Sequence, residues 1–114
     1  FLFYQKLLKD LPVQILAVPQ DVLSSVHLCV IRLKHGSISM HRRVFEGLRA
    51  AGIGVQLHYS PVHLQPYYRN LGFSEGDFIE AETYAQDAMS LPLYPGLEVH
   101  QQERVVKTIS NLLG

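Results

Sequence analysis

The chain has 114 residues, 47% of them apolar and 18% charged, and its ten Lys and Arg are balanced by ten Asp and Glu. That length suits one domain with its own hydrophobic core, and zero net charge argues against general affinity for nucleic acid, which needs clustered Lys and Arg. A lone cysteine, Cys29, excludes an intrachain disulfide, no apolar stretch is long enough to span a membrane, and without a signal-peptide pattern the expected setting is cytoplasmic.

Phe1–Leu11 places Leu2, Phe3, Leu7, Leu8 and Leu11 near helical spacing, and Pro12 closes the segment because the residue before proline is pushed out of the helical region. The chain opens with Phe1 in what reads as the middle of a helix, so a longer polypeptide is expected. Val13–Val18, between Pro12 and Pro19, reads as an edge strand, and Gln20–Ser25 as a polar loop. Val26–Lys34 is apolar and β-branched at its centre, the pattern of a strand covered on both faces. Cys29 sits in that run, where a buried, inert thiol is expected.

Gly36, Ser37 and Ser39 suit a turn followed by a helix cap. Met40, Val44, Phe45, Leu48 and Ala51 then follow at helical spacing, with His41 outside the stripe as a surface residue. Gly52 suits the end of this helix, and Val55–Tyr59 reads as the next strand. Ser60–Gly76 is broken by Pro61 and Pro66 and has no continuous pattern. Asp77–Glu80 resembles a capping box with Asp77 as the cap, opening a helix lined by Phe78, Ala81, Ala85 and Ala88. Leu91–Tyr94 fits a short edge strand, and Val99–Leu113 an amphipathic helix, with His100 on its surface. The expected fold class is α+β: a two-layer sandwich, with a small mixed or antiparallel sheet of three or four strands and helices mainly on one face.

The chemistry-bearing stretch is Gly54–Tyr68, GVQLHYSPVHLQPYY, with two histidines, three tyrosines and two prolines. His58 and His63 lack a nearby Cys, Asp or Glu to complete a metal site, so no metal is expected. As loop histidines they could instead bond backbone groups around Pro61. Nothing like a nucleophile elbow surrounds Ser60, and Gly52-Ile53-Gly54 lacks the context of a dinucleotide fingerprint. Tyr67 and Tyr68 could stack on a ligand or plug a core edge. Glu80, Glu82 and Asp87 read as solvated helix residues. On these grounds a free-standing ligand-binding or interaction module is one reading.

A second reading comes from resemblance. GIGVQLHYSPVHLQPYY, then DFIEAETYAQDAMSLPLYPGL and the closing helix, resemble the C-terminal small domain of the DegT/StrS-type sugar-nucleotide aminotransferases. Upstream, SSVHLCVIRLK resembles the first strand of that domain, and residues 1–11 the end of the helix leading into it. The likeness covers essentially the whole chain. Within the family, the wording is closest to the enzymes that aminate the 4-keto intermediate of pseudaminic acid biosynthesis. Val26, Cys29 and Ile79 depart from the family pattern.

The resemblance implies the aspartate-aminotransferase (fold type I) architecture. It implies pyridoxal phosphate (PLP) as cofactor, a keto-sugar nucleotide as substrate, glutamate as amino donor, and a homodimer. In such enzymes a large domain carries the Schiff-base lysine. None of Lys6, Lys9, Lys34 and Lys107 sits in a comparable motif, so no catalytic residue is assigned here and the chain alone is expected to be inactive and to bind no cofactor. The small domain closes one side of the cleft, and His63 matches a histidine facing it. The implied role is a neutral imidazole that donates or accepts a hydrogen bond with a sugar or phosphate oxygen, or a protonated one that pairs with diphosphate. His58 and Tyr59 come next as substrate-binding candidates, and Gln65 after them.

Overall fold

The computed structural model describes residues 1–114. Strands β1 (Val13–Ile15), β2 (Cys29–Leu33) and β3 (Ala88–Leu91) form an antiparallel sheet in that order. The register pairs Val13 with Leu33, Ile15 and Met89 with Ile31, and Cys29 with Leu91. Side chains alternate across a sheet, so these residues share one face. That face meets α1 (Leu2–Leu7), α2 (Ile38–Ala50) and α5 (Val99–Leu113) through Tyr4, Val44, Leu48, Val105 and Ile109 in one continuous core. The result is the expected α+β sandwich with its main helical layer on one face. The opposite face carries Gln14, Val30, Arg32, Ala88 and Ser90. This second, more polar face is where the candidate site is built.

The local chemistry explains most element ends. Ser37 caps α2 by accepting from the Met40 N–H at 3.2 Å. At the other end Gly52 adopts φ +73°. There its N–H donates to Arg49 and that of Ile53 to Leu48, closing a Schellman motif that satisfies the last carbonyls. Helix α5 spans the expected residues and opens with a capping box between Glu98 and Gln101. Cys29 is fully buried, and desolvation pushes its thiol up to about 11, which keeps it protonated and unreactive.

Several boundaries differ from the sequence expectation. Helix α1 stops at Leu7 and β1 at Ile15. Strand β2 begins at Cys29 because Val26 takes φ +49°, outside the extended region. The last strand is Ala88–Leu91, not Leu91–Tyr94: it follows α4 (Ile79–Asp87) directly and ends before Pro92, which has no N–H to give the ladder. Asp77 does not cap α4, since its Oδ2 accepts instead from the Ser74 N–H in the preceding turn.

The expected strand Val55–Tyr59 reduces to a single bridge between Gln56 and Ser90. Continuing that register would pair Gly54 with Pro92 and His58 with Ala88. Pro92 cannot donate. Ala88 is already committed on that side: its N–H donates to Tyr84, and its carbonyl accepts from His41 Nε2–H at 2.9 Å. The same bond corrects the surface placement of His41, which is buried between α2 and the start of β3. A buried ring nitrogen finds a strand carbonyl that the ladder leaves free.

Candidate functional site

The chain leaves the sheet edge at Gln56 and enters the ring-rich stretch. His58 turns back toward the polar face, where its Nδ1 lies 2.8 Å from the Ser90 hydroxyl of β3. Tyr59 packs edge-on against His58 at 4.7 Å between centroids, yet its own ring is largely exposed. Pro61 then leads into a single 3-10 turn, Val62–Leu64, and Pro66 opens the short helix α3 (Pro66–Asn70), a position where a missing N–H costs nothing. Gln65, between them, is exposed and its side chain caps nothing.

His63 points inward from the 3-10 turn and is only 6% exposed. Its Nε2 lies 2.8 Å from Glu82 Oε1 on α4. The same oxygen accepts the Gly76 N–H at 2.8 Å. The His63 hydrogen bond first, and the Gly76 N–H second, hold the Glu82 carboxyl below the usual glutamate range. Phe78 packs edge-on against the His63 ring at 4.9 Å. Beyond it Phe73, Tyr68 and Tyr67 continue a run of rings, each 5.2–6.3 Å from the next. Val62, His63, Tyr68, Phe73, Phe78 and Ala81 line a hollow of about 340 Å³. Tyr67 and Tyr68 therefore stand at the surface and do not plug a core edge.

The structure thus separates the sequence candidates. His58 and His63 reach different elements, β3 and α4, and neither bonds backbone groups around Pro61. Tyr59 and Gln65 are exposed, away from the hollow's lining. Sequence reasoning missed Glu82 and Ser90, the two groups that hold the histidines. No local signal marked Glu82, since Phe78, four residues before it, precedes the helical residues of α4. Glu82 and Asp87, read as solvated, are both corrected: their side chains are 16% and 17% exposed and each is paired. Asp87 takes a bidentate bond from Arg32, at 2.8 Å on both arms, with the guanidinium 5.5 Å over the Tyr84 ring. Lys6, Lys9, Lys34 and Lys107 are all exposed, and none lines the hollow. The residues present therefore do not fit a lysine-anchored pyridoxal phosphate by themselves.

The Glu82 contacts carry a pH consequence. The folded carboxyl binds its proton less tightly than the unfolded one, so the pair stabilises the fold above the ordinary glutamate pKa of about 4.3. That contribution is lost as pH falls through the lower folded value. Denaturation midpoints measured from pH 6 to 3 should fall less steeply for Glu82→Gln than for the wild type; parallel slopes would remove Glu82 from the acid response.

Among known proteins, a family model for the DegT/DnrJ/EryC1/StrS aminotransferases matches residues 1–110. A pleiotropic regulatory protein of Geobacillus stearothermophilus is 44% identical over 64 residues, 55% of this chain and 17% of that protein. A Streptococcus pneumoniae protein described as a sugar aminotransferase, solved in PLP, PMP and apo forms, overlays with a TM-score of 0.90. In its PMP form it is 26% identical, over 96% of this chain and 28% of that one. Helicobacter pylori PseC, an aminotransferase of pseudoaminic acid biosynthesis, overlays at 0.85 with 25% identity, over 97% of this chain and 30% of that one. The chain spans under a third of the length of each of these relatives. With the model matched along almost its whole length and the fold shared, the chain belongs to the DegT/DnrJ/EryC1/StrS aminotransferase family.

Proposed function

We propose that residues 1–114 form the small C-terminal domain of a PLP-dependent sugar-nucleotide aminotransferase and supply one wall of its cleft. The observation that carries this is the overlay of 96% of the chain on a PLP-form aminotransferase, together with the family match over residues 1–110. Pyridoxal phosphate supplies the electron sink for amino transfer when bound; its anchoring lysine lies outside these residues. The contribution of this chain is binding and orientation. His63, held by Glu82 and lining the hollow, is the principal substrate contact. His58, fixed by Ser90, and the exposed Tyr59 and Gln65 flank it. The narrower reading is amination of a keto-sugar nucleotide of the pseudaminic acid type with glutamate as donor, in a cytoplasmic homodimer. Its supports are the motif wording and the likeness to PseC.

The test uses the complete reading frame, purified and assayed with glutamate and a panel of keto-sugar nucleotides. Visible absorbance of lysine-bound pyridoxal phosphate and turnover of a keto-sugar nucleotide are expected; neither appearing would overturn the proposal. His63→Ala should lower kcat/KM about ten- to hundredfold, the effect of one lost hydrogen bond in a desolvated site. Unchanged kinetics would take His63 out of the site.

A further inference from the structure

We propose that Glu82 is a positioning residue: building on the reading of His63 as substrate-facing, it holds the neutral imidazole as its Nε2–H tautomer, so that Nδ1 meets the ligand as a hydrogen-bond acceptor. An ionised carboxylate only accepts, so a proton shared at 2.8 Å must sit on Nε2. Oε1 cannot easily swing away, because the Gly76 N–H converges on it from the loop at the same distance. Phe78, with its ring centroid 4.9 Å from that of His63, crowds rotation about the remaining bond. Nδ1 makes no hydrogen bond within the protein. It is also not wholly enclosed, and His63 lines the hollow.

This orientation selects ligand chemistry. A lone pair on Nδ1 accepts from a hydroxyl or an amide N–H. It repels a phosphate or carboxylate oxygen unless the ring takes a second proton. While the ring carries a single proton, the group read by His63 is therefore a hydrogen-bond donor, such as a sugar hydroxyl, and not the diphosphate of the nucleotide.

Nitrogen-15 NMR of the His63 ring in the 114-residue chain tests this at alkaline pH, with the imidazole neutral. In the wild type the proton should reside on Nε2 and exchange slowly with water. Glu82→Gln should preserve this, because the amide oxygen still faces two N–H donors. Glu82→Ala should speed exchange at least about tenfold, as for the loss of a hydrogen bond to a charged acceptor. A proton on Nδ1 in the wild type, or equal exchange in Glu82→Ala, would overturn the assignment. These signals are read on the ring itself. Unaltered kinetics of His63→Ala in the complete enzyme would instead dismiss the substrate-facing reading and leave the Nε2–H bond in place.

Discussion

Ile31→Ala should destabilise the chain by about 2–5 kcal/mol, the range for emptying a fully buried aliphatic site. Ile31 is the middle of the middle strand: it is 0% exposed and opposes Ile15 on one side and Met89 on the other. Its side chain meets the core face shared with α1, α2 and α5, so no surface group can collapse into the space left behind. Ile31→Val removes one methylene group and should cost about 0.5–1.5 kcal/mol. Guanidinium denaturation of both variants checks this. A cost below about 1 kcal/mol for the alanine variant would mean that the sheet centre is not the centre of the core.

Asp87→Ala should cost about 1–2 kcal/mol, between the small worth of an exposed ion pair and the large cost of stranding a buried charge. Asp87 is the last residue of α4, where the helix dipole disfavours an acid. It is tolerated because Arg32 of β2 grips both its oxygens. Truncation relieves the dipole conflict but leaves the guanidinium over Tyr84 without its acceptor. Arg32→Ala should cost a similar amount, and the double variant less than the sum, since the two residues share one interaction. Additive costs in a double-mutant cycle would show that the pair contributes nothing.

Elements with strong local signals were legible in the sequence. The stripe of α5, the serine cap and glycine stop of α2, and the apolar centre of β2 each agree with what packing requires. What was not legible depends on tertiary partners. Val55–Tyr59 has strand composition, yet its ladder is stopped by Pro92 and by His41 occupying the Ala88 carbonyl, and neither is a neighbour in sequence. His41, Glu82 and Asp87 look solvent-facing on their own helices, and only the groups packed against them say otherwise. The motif resemblance located His63, but the acid that orients it lies 19 residues further on, and no local rule links the two.

The joint between Asp87 and Ala88 has no connecting residue: α4 becomes β3 in one step. Glu82, which holds His63, and Ser90, which holds His58, therefore ride on one continuous piece of backbone. A single inserted residue there would rotate the helix by about 100° relative to the strand. The Glu82 clasp and the Arg32 grip would come undone together, while the His58–Ser90 bond, beside the Gln56–Ser90 bridge, would stay with the strand. The phase between helix and strand is therefore a single structural setting, and an insertion or deletion at this joint should disturb the His63 site far more than one in a flanking loop.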